Sequence, residues 1–91
     1  MMVVLILERV PVSLRGELTR WLLEVRAGVF VGDVSALVRE KLWELVEEKA
    51  REGAAVLVHN ADSEQSFAMR LHGEASRDIA EFDGLYLVRR H

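Results

Sequence analysis

Runs of apolar residues alternate with amphipathic segments along this chain, and their order predicts its secondary structure. Residues 2–7 are continuously apolar and rich in β-branched side chains, which is typical of a central strand covered on both faces. Pro11 follows shortly afterwards, and a proline at this place favours the first turn of a helix. The apolar stripe predicted for this helix consists of Leu14, Leu18, Trp21, Leu22 and Val25.

The middle of the chain predicts a short strand region followed by a second helix. Residues 24–32 form a strand or a tight strand pair, with either a turn or a bulge at residues 27–28. Either Asp33 or Ser35 caps the helix that follows, and Gly53 is placed to end it in a left-handed conformation. The residues of this helix that are expected to face the core are Val34, Leu37, Val38, Leu42, Leu45 and Val46.

The last third of the chain predicts three further strands. Residues 54–58 are apolar, and residues 67–72 alternate in the manner of a strand that is covered on one face. A turn at residues 83–84 precedes a final strand over residues 85–88. This order of elements predicts a single α+β domain over residues 1–91, a ferredoxin-like antiparallel sheet with both helices on one face.

Composition adds an expectation about association and location. The chain has 91 residues, of which 51% are hydrophobic, and so short a chain has more apolar surface than one small core hides. A homodimer is the commonest way to bury such an excess. The chain has no cysteine, which fits a reducing cytoplasm. Its longest apolar run is too short for a membrane span and lacks the basic start of a signal peptide, so a cytoplasmic protein without a membrane segment is expected.

The net charge and the choice of basic residues bear on whether this chain binds nucleic acid. The net charge of −3 argues against nonspecific binding of nucleic acid by the whole surface. The bases are ten arginines and two lysines, and the arginine fork suits phosphate groups and surface ion pairs equally well. The alternative to phosphate binding is a set of scattered, solvated charges. The arginines chosen as candidates for phosphate contact are Arg15, Arg20, Arg77, Arg89 and Arg90.

The sequence has no glycine-rich phosphate loop, no metal-binding histidine motif and no nucleophile elbow. Glu8 ends the first strand and is the most interesting carboxylate. It is either a solvated strand-end residue or a magnesium ligand completed by a second Glu8 across a two-fold axis. Asp33 is expected to cap a helix rather than to act as a further ligand. His59, His72 and His91 share no metal-ligand spacing.

Ordered motifs over nearly the whole chain carry a family resemblance. The most specific is residues 21–35, which read WLLEVRAGVFVGDVS. Residues 4–9, 14–18, 39–44 and 82–88 contribute VLILER, LRGEL, REKLWE and FDGLYLV. Together they resemble the smaller of the two CRISPR adaptation proteins, CRISPR-associated protein two, in its type I-E subgroup.

The resemblance implies a homodimer of ferredoxin-like subunits that takes part in spacer acquisition. In that family the dimer bridges two dimers of the larger integrase subunit and holds the middle of a double-stranded prespacer DNA, while the larger subunit performs the chemistry. Arg15 and Arg77 match family positions that touch DNA phosphates, and Arg20 is added here as a candidate. Phosphate contacts set position and affinity without selecting sequence, as a spacer-accepting scaffold requires.

Two other functions compete with the scaffold. Other branches of the family are described as magnesium-dependent nucleases that cut RNA or DNA with an aspartate at the end of the first strand, where this chain has Glu8. A symmetric pair of Glu8 carboxylates would therefore make a magnesium-dependent endonuclease. The third class is a small regulatory or ligand-binding domain, which would suit the acidic pI of 5.6.

The chain also departs from the family pattern. Ser13 and Ser76 stand where some relatives have further phosphate-facing arginines, which should flatten the salt dependence of DNA binding. The chain stops at His91, whereas relatives run a little longer with a tail that grips the larger subunit. Trp21 and Trp43 are expected in core or subunit packing. The residues predicted for the dimer or partner interface are Phe30, Tyr86, Leu87 and Arg89.

Overall fold

The computed structural model describes residues 1–61 and 67–73, and two helices interrupt the strands of one sheet in this part of the chain. The predicted irregular connection after residue 73, the turn at residues 83–84 and the strand over residues 85–88 lie outside the described residues. The described elements are β1 (Met2–Glu8), α1 (Val12–Leu18), β2 (Leu23–Arg26), β3 (Val29–Asp33), α2 (Ala36–Lys49), β4 (Ala54–Asn60) and β5 (Phe67–His72).

The strands form one antiparallel sheet in the order β2-β3-β1-β4-β5. β1 lies at its centre, where Leu5 stands opposite Phe30 of β3 on one side and Leu57 of β4 on the other. Each helix therefore connects two strands that have a third strand between them, which is the ferredoxin-like arrangement. The predicted α+β fold with an antiparallel sheet is confirmed.

The core lies between one face of the sheet and both helices. Alternate residues of β1 point to this face, so Val3, Leu5 and Leu7 are buried while the residues between them are partly exposed. The same cluster contains buried residues of β3, β4, both helices and the α1–β2 connection, namely Phe30, Ala55, Leu57, Leu14, Leu18, Leu42, Trp43, Val46, Ala50 and Leu22. The described helices thus cover β1 on this face.

The opposite side of the sheet is also apolar. Strand register places Val4 between Val31 and Val58, and Ile6 between Val29 and Val56, all pointing away from the core. We call the set the apolar sheet face; its residues are Val4, Ile6, Leu23, Val29, Val31, Val56, Val58, Met69 and Leu71. Leu23 and Leu71 near its two edges are 67% and 50% exposed, and Val56 of β4 is buried. No helix of the described residues belongs to this side.

The first helix is shorter than its apolar stripe predicts. α1 ends at Leu18, and the backbone N–H groups of Trp21 and Leu22 both donate to the Leu18 carbonyl as the chain turns into β2. Leu22 is buried in the core, but Trp21 is 56% exposed and Val25 belongs to an exposed part of β2. The helical prediction for Trp21 and Val25 is wrong because the alternation of the following strand continues the helical spacing by coincidence.

Of the two alternatives for residues 27–28, the β2–β3 hairpin has the turn there, and a bulge lies further back in β2. The turn includes Gly28, whose φ of +79° lies in the left-handed region. A shift of register between Glu24 and Arg26 marks a bulge in β2. The Gly28 carbonyl accepts a hydrogen bond of 2.7 Å from the N–H of Leu7, so the turn is tied to the central strand.

The second helix begins with a side-chain cap. The Ser35 hydroxyl accepts a hydrogen bond of 3.2 Å from the N–H of Val38, while the Asp33 carboxylate accepts one from the amine of Met1. Ser35 is therefore the cap and Asp33 is not. Of the residues predicted to face the core, Leu42 and Val46 are buried, and Val34, Val38 and Leu45 pack against the core. The prediction for Leu37 is wrong, since its side chain is 68% exposed.

The left-handed residue after α2 is Arg51, with φ of +55°, instead of the predicted Gly53. Gly53 serves a different purpose, because a Cβ atom there would lie 2.6 Å from a methyl group of Val10 and 2.7 Å from the carbonyl oxygens of Glu8 and Arg9. The glycine thus allows the end of the helix to approach the connection that follows β1.

Polar contacts attach β5 to α2. One carboxylate oxygen of Glu40 accepts a hydrogen bond of 2.7 Å from Arg70 of β5, and the other accepts one of 2.9 Å from Arg39. These bonds, that of Arg70 above all, hold the pKa of Glu40 below its ordinary value. Nearby, the ring of His72 meets Trp43 edge-on at 6.3 Å between ring centroids.

Two glycine substitutions test the role of the hairpin turn. We expect Gly28→Ala to lower the free energy of unfolding by about 1 kcal/mol or more, because alanine disfavours the left-handed conformation and its Cβ would strike the Leu7 carbonyl. Gly16→Ala in α1 is the matched control, because a Cβ there meets nothing within 4 Å and removing a helical glycine gains about 0.5–1 kcal/mol. Urea unfolding measures both, and equal effects would contradict this account of Gly28.

Candidate nucleic-acid interface

Glu8 ends the central strand, opposite Ala54 of β4. Its position along β1 gives it the same side as the apolar sheet face, at the border of that surface. One of its carboxylate oxygens lies 3.2 Å from the Arg9 guanidinium. Glu8 and Arg15 both line a small open pocket of about 120 Å³. The other residues that line it are Leu7, Arg9, Val10, Ala27 and Gly28.

Arg15 is held beside this pocket by an ion pair with Glu24 of β2. Its Nε and Nη2 atoms donate to the same oxygen, Oε2, at 3.0 and 2.7 Å. The N–H of Gly28 donates to that oxygen as well, at 2.8 Å. The Gly28 hydrogen bond and the Arg15 guanidinium together hold the pKa of the Glu24 carboxyl below its ordinary value of 4.5.

Glu24 is the site residue that sequence reasoning missed. The segment around Glu24 fits both a strand and a helix from its pattern of apolar residues. Glu24 also stands nine positions after Arg15 in the sequence. The two side chains meet only because α1 ends at Leu18 and β2 returns alongside it. The bulge and turn then let the Gly28 N–H donate a hydrogen bond to the same carboxylate. No local sequence pattern predicts this contact.

The other predicted phosphate contacts are not gathered at this pocket. Arg20 lies exposed in the turn after α1 and does not line it. Ser13 lines a separate depression of about 390 Å³ with Pro11, Glu48, Lys49 and Arg51. The predicted residues that lie outside the described part of the chain are Ser76, Arg77, Tyr86, Leu87, Arg89, Arg90 and His91.

The interface prediction for Phe30 needs correction. Its side chain has 0% relative exposure and belongs to the core between the sheet and the helices. It therefore contacts its own helices and presents no surface to a second chain. Its neighbours Val29 and Val31 point the other way and belong to the apolar sheet face. Neighbouring residues of a strand point to opposite faces of the sheet, so a prediction that is one position off selects the wrong face.

The predicted magnesium ligand Glu8 is not part of a larger cluster of candidate ligands in the described part of the chain. No group of three or more histidine, aspartate or glutamate side chains is arranged to hold a metal in residues 1–61 and 67–73. Glu8 is ion-paired with Arg9, whereas magnesium takes oxygen ligands in an octahedron. His59 lies apart, with Nδ1 2.7 Å from the Asn60 carbonyl oxygen, and His72 packs on Trp43. A metal at Glu8 would need ligands from a second copy or from substrate.

Comparison with known families adds one finding. A family model described as CRISPR-associated protein (Cas_Cas2CT1978) matches residues 2–87, which is most of the chain. The matched range includes β1 with Glu8, the Arg15–Glu24 pair and the whole apolar sheet face. Separately, none of the described helices is both long and apolar enough to cross a bilayer.

The Arg15–Glu24 contact predicts a pH dependence of stability. Because the folded-state pKa of Glu24 is depressed, its stabilising effect is complete above 4.5 and is lost as pH falls through the folded-state pKa. We expect wild type to be more stable than Glu24→Gln at neutral pH, and the two to converge below pH 4.5. Urea unfolding across this pH range is the measurement.

Lys41→Gln is the control for this experiment, since it removes an exposed charge of α2 without touching Glu24. Its curve of stability against pH should follow that of wild type. A Glu24→Gln curve that stays parallel to wild type below pH 4.5 would contradict the assignment.

Proposed function

The chain belongs to the CRISPR-associated protein family Cas_Cas2CT1978, and from this membership we propose that it serves in CRISPR adaptation as a homodimeric scaffold. In this proposal the dimer bridges copies of the larger integrase subunit and holds a double-stranded prespacer DNA between them. The larger subunit performs the integration chemistry. The type I-E subgroup is part of the proposal, and it rests on the resemblance of residues 21–35.

The apolar sheet face is the observation that supports the dimer in this proposal. Its nine positions lie on five adjacent strands and all bear apolar side chains; Leu23 and Leu71 are exposed, Val56 is buried and the other six are partly exposed. A contiguous apolar surface of this kind marks an interaction site in a soluble protein. A second copy is the occupant we propose, because a two-fold axis lets the same surface serve both subunits. The high apolar content of so short a chain agrees with this use.

The placement of individual arginines supports the DNA part of the proposal. Arg15 is the best placed of them, since its guanidinium is fixed at an open pocket and remains about one-third exposed. Arg20 is exposed nearby in sequence, and Arg77 is a proposed contact outside the described residues. A chain with net charge −3 needs such localised contacts, because its overall charge repels DNA.

The alternative function is a magnesium-dependent endonuclease that acts on RNA or DNA through a pair of Glu8 carboxylates. In its favour, Glu8 lies at the border of the surface that a second copy would cover. Against it, Glu8 is ion-paired with Arg9 and belongs to no group of three or more potential metal ligands among the described residues. We therefore place the chemistry in the larger subunit and treat Glu8 as structural.

An integration assay separates the two functions. It combines this protein, the larger adaptation subunit of the same genome, a prespacer duplex and a plasmid that carries a repeat. We expect Glu8→Ala and wild type to support the same extent of integration, because a scaffold needs no carboxylate at this site. Loss of integration in Glu8→Ala, with the complex still assembled, would return Glu8 to the chemistry.

Charged substitutions on the apolar sheet face test the dimer. We expect Leu23→Glu and Leu71→Glu to shift the protein from dimer to monomer, because each buries an unpaired carboxylate at the proposed interface. Leu37→Glu is a matched control, since Leu37 is as exposed as Leu23 but lies on α2. Sedimentation velocity over a range of concentrations is the measurement. A monomeric wild type, or a control that dissociates equally, would exclude this interface.

A further inference from the structure

The oxygen at the centre of the Arg15–Glu24 contact has an unusually full set of donors. Glu24 Oε2 accepts from Nε and Nη2 of Arg15 and from the N–H of Gly28, at distances between 2.7 and 3.0 Å. These donors come from α1 and from the hairpin turn, while Glu24 itself belongs to β2. Three separate pieces of backbone therefore determine where the guanidinium lies.

A count of donors shows what this arrangement leaves unused. A guanidinium carries five N–H groups in a fixed plane, and Glu24 takes one from Nε and one from Nη2. The two N–H groups of Nη1 and the second one of Nη2 remain. One N–H of Nη1 and the remaining one of Nη2 point in parallel off the end of the plane, where they match a pair of phosphate oxygens, and the other N–H of Nη1 points to the opposite edge. Glu24 thus occupies the side edge of Arg15 and leaves the end of the fork available.

The position of the fork agrees with such a contact. Arg15 lines the open pocket beside Glu8 and Gly28, and its side chain is 35% exposed. Glu24 in turn has little freedom, because it stands opposite Phe30 in the strand ladder and is fixed by the Gly28 N–H. An arginine that is already ordered loses less conformational freedom when it binds a phosphate than a mobile one does.

We infer that Glu24 is a positioning residue for Arg15, which it holds with the end of the guanidinium directed at a DNA backbone phosphate. This inference rests on the proposed function, since it assumes that Arg15 contacts phosphate. It predicts that a negatively charged side chain promotes the binding of a polyanion. The opposite role, in which the Glu24 carboxylate competes with phosphate for Arg15, predicts the opposite sign.

The experiment measures the affinity of the assembled complex with the larger subunit for one fluorescently labelled DNA duplex, in a series of salt concentrations. The variants are Glu24→Ala, Arg15→Ala and the double variant. Glu44→Ala is the matched control, because it removes an exposed glutamate of α2 that takes no part in this contact. Glu24→Gln keeps an acceptor oxygen, and it covers the case in which Glu24→Ala fails to fold.

We expect Glu24→Ala to weaken duplex binding by about two- to tenfold, the range for the ordering of one long side chain. Glu24→Gln should lie between Glu24→Ala and wild type. Glu44→Ala should bind as wild type does or slightly more tightly, because it only removes a repulsive charge. Arg15→Ala should weaken binding and lower the salt slope by about one. In the Arg15→Ala background, the loss of Glu24 should have no further effect.

The outcomes that overturn the inference differ from those that overturn the proposed function. Tighter binding by Glu24→Ala or Glu24→Gln than by Glu44→Ala would show competition instead of positioning. A loss on Glu24→Ala that persists without Arg15 would show that Glu24 acts by another route. If Arg15→Ala itself binds DNA as wild type does, the proposed phosphate contact fails and the inference fails with it.

Discussion

The two-sided pairing of β1 is the constraint on which the rest of this molecule depends. Successive side chains of β1 point to opposite faces of the sheet. Because β1 is hydrogen-bonded in register to β3 and β4, the paired residues of those strands point to the same faces. Leu5 and its same-side neighbours define the face that the helices cover. Val4 and Ile6 define the other face and leave it apolar. Glu8, at the end of the same alternation, then lies at the border of the second surface, so the positions of the core, the proposed interface and the candidate site all depend on β1.

Much of the fold is readable from the sequence because strands and caps are encoded locally. The apolar run before Pro11, the cap at Ser35 and the turn at Gly28 each depend on a few neighbouring residues. The end of α1 was not readable, since Trp21 and Val25 continue the helical stripe while belonging to a turn and a strand. Helical and strand periodicities coincide over such short distances, and it is the exposure of Trp21 and Val25 that distinguishes them, since Leu22 is buried as either pattern predicts.

The candidate site was predicted in part. Arg15 was identified from its resemblance to a phosphate-contacting position, and Glu8 from its place at a strand end. Glu24 was missed because its contact with Arg15 requires the hairpin to fold back on α1, which is a tertiary event. Phe30 was assigned to an interface, yet its face is set by register with Leu5, and register is not visible in one strand alone. Contacts between segments that are distant in the sequence are thus what could not be predicted from it.

The bulge in β2 has a consequence for how this protein avoids disordered self-association. β2 is an edge strand of the described sheet, and an edge strand offers unpaired backbone groups to any other chain. It has only four residues, its register shifts between Glu24 and Arg26, and it carries a charge of each sign. Such a strand is a poor template for continuous pairing, so growth of the sheet by repeated addition at this edge is discouraged. In the proposed dimer, association instead uses the broad side of the sheet and ends with two copies.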